Sequence, residues 1–385
     1  MRVLIAPDSF SGTLTATEAA ETIAAGWRDH APHDELTVLP LSDGGPGFLE
    51  VVHGALGGDL VSVSVSDPLG RTVPGAFLLR DEGGRRTAYV EAAQACGLHL
   101  LEEGEQDPAV TSTYGVGELL AAAVDAGATR IVVGLGGSGT NDGGAGALAA
   151  LGAGDAYALG RGGVALAALT DDDLAGLEQV RQRFGEIELV LACDVDIALL
   201  GFHGASASYA AGKGATPEVA QQLEAALGHF TDVASRVVQV STDLLSGEAR
   251  RLEREPGAGA DGGLGFGLML LGGRYRSGVG TVLETVGFDR LLSTQHLLLT
   301  GEGTFDWQSL RGKVVAGVAA LALEHAVPTV VVAGQCSIGR RETMAHGISG
   351  TYAVARSPDE VLTALADPVG TLRSLARRVA VTWSV

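Results

Sequence analysis

The sequence predicts an α/β protein of two α/β domains, one of them discontinuous with the other inserted into it, and three observations carry that prediction. Short β-branched runs alternate with Ala-rich helical stretches over residues 2 to 50 and again from about residue 297, each run ending in a Gly/Asp/Ser loop. Between them the pattern changes to brief alternating stretches, Leu60 to Ser66, Thr72 to Leu79 and Thr87 to Glu91, separated by Asp-Pro-Leu-Gly and Asp-Glu-Gly-Gly turns. The chain has 385 residues, 46% of them hydrophobic, which favours two cores over one. Residues 1 to 62 plus 286 to 385 are expected to form one domain and residues 63 to 285 the inserted one. A long insertion at a surface loop costs little, and a cleft between two such units is where a small substrate would sit.

In order along the chain, residues 2 to 6 read as a strand that ends at Pro7-Asp8-Ser9-Phe10. Thr15 to Trp27 follow as a helix with Thr15 and Glu18 spaced as a capping box. Residues 35 to 40 give the next strand, closing on Ser42-Asp43-Gly44-Gly45-Pro46. In an open α/β sheet, loops at strand C-termini share one crevice, so Asp8 and Asp43 are expected to converge. Each aspartate taken alone fits a helix cap or turn equally well. Helix signals resume at Gly117 to Asp125, and the strand at Glu188 to Cys193 ends in Asp194-Val-Asp196. Alternation would place both carboxylates on one face of an extended segment, suited to a hard cation carrying nucleotide phosphates; a turn-initiating Asp pair reads the same way. Thr170 to Asp173 reads as a helix cap. Residues 218 to 254 read as helical after Lys213 and Pro217, and Ser206 and Lys213 are placed to face the glycine loop. The last block repeats the opening: strand 297 to 300, loop Gly301-Glu302-Gly303 through Asp306 to Lys313, helix 314 to 326, strand 329 to 332.

The densest motif is residues 134 to 146, seven glycines in thirteen residues with Ser138, Thr140, Asn141 and Asp142 among them. It follows Ile131-Val132-Val133 and precedes an Ala-rich helical stretch, so it reads as strand, loop, helix start. Such a loop brings backbone N–H groups close to an anion, and the natural guest is a phosphate. Gly134, Gly136 and Gly139 also fit a dinucleotide fingerprint, with Asp155 about 20 residues on. The loop runs on past the point where that helix should begin, which argues against it. No Walker A loop is present. A second glycine-dense stretch, 257 to 267, carries one carboxylate, Asp261; it fits either a ligand loop or close helix packing.

Composition sets the outer limits. With 26 basic and 46 acidic residues the net charge is −20, which argues against nucleic acid or an anionic membrane as partner. Cys96, Cys193 and Cys336 are far apart and fit reduced core residues. No signal-peptide pattern and no apolar run of about 18 residues occurs, so a cytoplasmic location is expected. Homo-oligomerisation is left open. Lys213 and Lys313 are the only lysines among the basic residues, the rest being arginine. A compact ammonium beside glycine suits tracking a phosphoryl group, and so does chance survival in a solvated turn.

Taken together, Asp8-Ser9-Phe10, Ser42-Asp43-Gly44-Gly45, Gly136-Gly137-Ser138 with Thr140-Asn141-Asp142-Gly143-Gly144, Cys193-Asp194-Val195-Asp196, Lys213 through Glu218, Gly262-Gly263-Leu264-Gly265 and Gly301-Glu302-Gly303 resemble the bacterial glycerate kinase family (type I). The resemblance spans nearly the whole chain. It implies ATP-dependent phosphorylation of D-glycerate, leaning to the 2-hydroxyl, a magnesium requirement, and two α/β domains of which the discontinuous one is flavodoxin-like. On that reading Gly136, Gly137, Ser138, Thr140 and Asn141 cradle phosphates, Lys213 or Lys313 offsets charge on the transferred group, and Asp194 and Asp196 hold Mg²⁺. Asp43, Asp142 and Asp306 remain equal candidates for the general base. Asp8, Ser9, Gly44, Gly45, Asp261 and Glu302 are expected to line the substrate or phosphate path. Four departures from the family pattern stand out: Ser11 where Lys is usual, Pro46 for Glu, Ile197-Ala198 for Asn-Pro, and Thr304-Phe305 for a basic residue and Leu. Loss of one charge-assisted phosphate contact weakens binding by about 1.5–3 kcal/mol. The alternatives are a kinase for another small hydroxy acid and a nucleotide-binding regulatory module with weakened catalysis.

Overall fold

The computed structural model describes residues 1–10, 12–238 and 250–384. Ser11 lies outside them, and so does the 239–249 part of the stretch expected to be helical; the helix itself is Pro217–Val237. The described strands are β1 (Arg2–Ile5), β2 (Glu35–Val38), β3 (Asp59–Ser66), β4 (Thr72–Glu82), β5 (Arg85–Glu91), β6 (Arg130–Gly134), β7 (Glu188–Ala192), β8 (Arg274–Arg276), β9 (Leu297–Phe305), β10 (Thr329–Cys336) and β11 (Ile348–Ala355). The chain divides into two compact units, Met1–Asp43 with Glu50–Gly57 and Val279–Val385, and Gly44–Leu49 with Gly58–Gly278.

In the first unit five strands lie in the order β11-β10-β9-β1-β2, and every pairing is parallel. Counted along this unit the order is 2-1-3-4-5, the flavodoxin-like arrangement. The inner strands β1, β9 and β10 carry apolar, fully buried runs because both faces are covered. Val330 and Val332 join Val3, Ile5, Trp27, Leu375 and others on one side, against the helices Ala16–Arg28 and Pro368–Trp383. Val331 and Ala333 point the other way and pack with Phe305, Val315 and Ala319 of the helix Val314–Glu324. The capping box forms: the Glu18 N–H donates to Thr15 Oγ1 at 3.2 Å and the Thr15 N–H to Glu18 Oε2 at 2.9 Å.

The second unit holds a six-stranded sheet in the order β3 to β8. The first two pairings are antiparallel and the rest parallel, so the hairpin chemistry and the strand-loop-helix chemistry share one sheet. β3 pairs with β4 from Asp59 to Ser66, so the expected boundary near residue 62 falls inside a strand. Its core gathers Phe77, Val90, Ile131, Val133 and Leu191 with residues of the helices Tyr114–Asp125, Ala145–Ala150 and Pro217–Val237. No helix among the described residues is long and apolar enough to cross a membrane.

Candidate active site

The first unit carries its polar side chains where the strand order reverses, at the carboxyl ends of β1 and β9, the position at which open α/β sheets bind ligands. The ladder continues past the strand ends and fixes Asp8 there. The Asp8 N–H donates to the Gly301 carbonyl at 2.8 Å, and the Leu41 N–H to the Pro7 carbonyl at 2.9 Å. Asp8 is half-buried, with its Oδ1 accepting the Ser9 N–H at 2.6 Å. Burial, the Asp43 carboxylate and more weakly Glu302 push its pKa up to about 8, while the Ser9 N–H and Lys313 pull it down. Glu302 is raised as well, chiefly by burial, and the Ser309 hydroxyl and Lys313 oppose that shift. Its Oε1 is buried without a hydrogen-bond partner. Lys313, half-buried, sits at the N-cap of Val314–Glu324, so its ammonium and the helix dipole add positive potential beside the carboxylates. Asp43, Glu302 and Lys313 are thus the charges that act on Asp8.

Asp306 belongs to a local turn. Its Oδ1 accepts the Gln308 N–H at 2.8 Å, and its own N–H donates to Ser309 Oγ at 3.0 Å. That arrangement orients Ser309 toward Glu302.

In the second unit the glycine loop departs from the expectation of an open phosphate cradle. Gly136 is partly exposed and Gly137 exposed, but residues 138 to 149 are buried. The glycines serve packing: a methyl on Gly144, whose φ is +80°, would lie 2.9 Å from the Gly267 Cα. A methyl on Gly262, φ +67°, would strike the Thr140 carbonyl. The two glycine-dense stretches thus interlock backbone against backbone, which larger residues would forbid.

The loop also meets anions, but they are the protein's own. The Gly136 N–H donates to Asp261 Oδ2 at 2.9 Å, and Ser138 serves the same carboxylate through its backbone and hydroxyl. Asp261 is held at φ 51°, ψ 43° inside the segment Ala260–Leu270, a left-handed conformation that costs a non-glycine residue about 1–3 kcal/mol. Lys213 is buried and spends its ammonium on Ser138 Oγ at 2.9 Å and the Thr140 carbonyl at 2.7 Å. Burial pushes Lys213 down and Asp261 up, and each one's charge counters the other's shift. Nearby, Asn141 Nδ2 donates to Ser206 Oγ at 3.0 Å, while Asn141 Oδ1 and Thr140 Oγ1 are buried without partners. The Cys96 thiol is pushed well up by burial and by Asp261, which leaves it inert.

Asp142 is fully buried. It accepts the Thr113 N–H at 2.8 Å, the Thr113 hydroxyl at 2.9 Å, and the Gly144 and Gly146 N–H groups at 3.1 Å. It caps the helix Ala145–Ala150, and no face of it is left for a substrate proton, so the general-base expectation does not fit this residue. Asp142→Ala is expected to destabilise the second unit by about 2–4 kcal/mol, since a cap is lost and several buried donors go unpaired. Denaturant unfolding of the variant checks it.

Asp194 and Asp196 lie beyond β7, which ends at Ala192, so strand alternation does not align them. Asp194 Oδ1 accepts the Ser277 hydroxyl and the Gly278 N–H, both at 2.9 Å, and Asp196 is exposed. No group of three or more His, Cys, Asp or Glu side chains among the described residues is placed to hold a metal.

The model of the glycerate kinase family matches residues 3–384. The chain belongs to the glycerate kinase family. It is 39% identical to the glycerate kinase of Bacillus subtilis (strain 168), over 92% of this chain and 90% of that protein. It is 34% identical to the glycerate 2-kinase of Escherichia coli (strain K12), over 100% of this chain and 98% of that one. The crystal structure of a Salmonella typhimurium LT2 protein put forward as glycerate kinase 2 superposes with a TM-score of 0.78 at 36% identity, covering 99% of this chain and 98% of that one. The protein is accordingly an enzyme, a kinase, and so a transferase. Within this family member, two supporting residues escaped the sequence reading. Thr113 holds Asp142 and Ser309 holds Glu302, and neither lies in a motif or at a telling spacing.

Proposed function

We propose that the protein transfers the γ-phosphoryl group of ATP to the 2-hydroxyl of D-glycerate. What carries the proposal is the group Asp8, Asp43, Glu302 and Lys313 at the switch point of a parallel sheet, in a chain of the glycerate kinase family. Lys313 and the helix start behind it suit an anionic group of the substrates, and the half-buried Asp8 suits a hydroxyl proton. In this reading the acceptor O–H gives its proton to Asp8 while its oxygen bonds to the γ-phosphorus. The bond from that phosphorus to the bridging oxygen breaks, and its electron pair leaves on ADP. Asp43 keeps Asp8 basic enough to hold the proton and Lys313 offsets the charge that builds on the transferred group.

For the second unit the proposal narrows to the exposed tip. Gly137 is kept as the phosphate contact, while Gly136, whose N–H is taken by Asp261, joins Ser138, Thr140, Asn141, Lys213 and Asp261 in holding that tip in place. Magnesium fits as an ion bound by one or two carboxylates together with phosphate oxygens, the usual mode for Mg²⁺. The exposed Asp196 and the partly engaged Asp194 match that description, and the ion would neutralise phosphate charge. The relative named glycerate 2-kinase supports the 2-position. A coupled ATP assay with D-glycerate, followed by phosphorus NMR of the product, is expected to give 2-phosphoglycerate. The 3-phosphate would overturn the position, and no turnover at any Mg²⁺ concentration would overturn the activity.

A further inference from the structure

Glu302 holds an acceptor that the protein leaves unused. The residue is 7% exposed and its Oε1 is buried with no hydrogen-bond partner, although the Ser309 hydroxyl serves the carboxylate. Buried polar atoms are nearly always paired, so an orphan beside a ligand position asks for a donor from the ligand. The groups that face Glu302 are Asp8, Asp43 and Asp306, which carry carboxylates, and Lys313. A carboxylate or phosphate oxygen brought to Oε1 would meet like charge. A hydroxyl would complete it.

The acceptor named in the proposed function has two hydroxyl groups. One loses its proton on phosphorylation and requires a base; the other stays a hydroxyl throughout and requires an acceptor. Asp8 ends β1 and Glu302 lies in the neighbouring β9, whose Gly301 carbonyl receives the Asp8 N–H at 2.8 Å. The two residues therefore sit on neighbouring strands, each carboxylate within electrostatic reach of the other. We infer that Glu302 Oε1 accepts a hydrogen bond from the hydroxyl that is not phosphorylated, and so selects a vicinal diol acid over a monohydroxy acid. The inference rests on the glycerate reading and adds the reason for its selectivity. A site built around a substrate hydroxyl rejects the analogue lacking it by as much as about 10⁴-fold, because its own buried group goes unpaired.

The test uses the full chain with D-glycerate and with D-lactate, which keeps the 2-hydroxyl and replaces the other by hydrogen. The wild type is expected to favour D-glycerate in kcat/KM by about 10³-fold or more. Glu302→Leu is expected to lower that ratio below about tenfold: both acids feel the change around Asp8, and D-glycerate alone also loses its second hydroxyl contact. Glu302→Gln, closer in shape, should fall between, with most of the change in KM. Calorimetry without nucleotide gives a second readout: in both variants D-glycerate binding weakens more than D-lactate binding does. Equal losses on both acids, or a raised Mg²⁺ requirement shared by both, would overturn the inference and make Glu302 a general positioning or metal-side residue. A wild type that neither binds nor phosphorylates D-glycerate would defeat the proposed function itself, and this inference with it. A wild type active on both acids alike would defeat the inference alone.

Discussion

Lys213→Met is expected to destabilise the second unit by about 3–5 kcal/mol, the cost of breaking a buried charge arrangement from one side. Methionine keeps most of the volume of the lysine stem, so little of the loss would come from packing. What goes is the ammonium that holds Ser138 Oγ and the Thr140 carbonyl and offsets the Asp261 carboxylate. Asp261 would keep the Gly136 N–H and Ser138 but remain a buried anion without its cation. Denaturant unfolding followed by circular dichroism measures the effect. The double variant Lys213→Met/Asp261→Asn is expected to lose less than the sum of the singles, by a coupling of about 1–3 kcal/mol, because both charges are gone. Lys213→Arg should not rescue, since a planar guanidinium cannot take the place of a compact point donor. If Lys213→Met unfolds like the wild type and only its KM for ATP rises, Lys213 is a substrate contact and not the cation that steadies Asp261 and the 138–140 backbone.

That cluster marks how far the sequence could be read. The βα periodicity, the Thr15 cap and the short alternating strands are local patterns, and the structure carries them as β1 with its helix and as β3 to β5. Glycine density is ambiguous for a physical reason: a residue without Cβ admits a phosphate and a neighbouring backbone equally well. Only the partner decides, and here Gly144 meets Gly267 from more than a hundred residues along the chain. Asp261 fills the anion position of the loop for the same reason, through a contact no local pattern encodes. Asp142 shows the converse. An aspartate beside glycines suits both a cap and a base, and the cap became visible only with Thr113 in place. Asp8 and Asp43, by contrast, were legible as a pair because strand ends in a parallel sheet share an edge. Glu302 was legible as a motif member, but its unpaired oxygen is a fact of three-dimensional packing.

Asp8→Asn is expected to lower kcat by about 10²–10⁴-fold, the usual contribution of a positioned general base. In the wild type, kcat/KM should rise with pH and level off above about 8, the value to which Asp8 is pushed. Because Asp43 and Glu302 contribute to that shift, the limb belongs to a proton held by the group more than to one isolated carboxyl. Stability should run in the opposite direction. An unfolded aspartate titrates near 3.8 and the folded one near 8, so between those values the native state binds more protons than the unfolded state. The contribution is complete below pH of about 4 and is lost as pH rises through about 8. Thermal unfolding should therefore show the wild type weakening from pH 6 to pH 9, and Asp8→Asn weakening less over the same range, since asparagine carries no charge to bury. A substrate base that formed a stabilising ion pair would give the reverse slope. Lys313→Met separates the two roles further: losing a cation that pulls Asp8 down should move the activity limb to higher pH, whereas a lysine that only binds phosphate would raise KM and leave the limb in place.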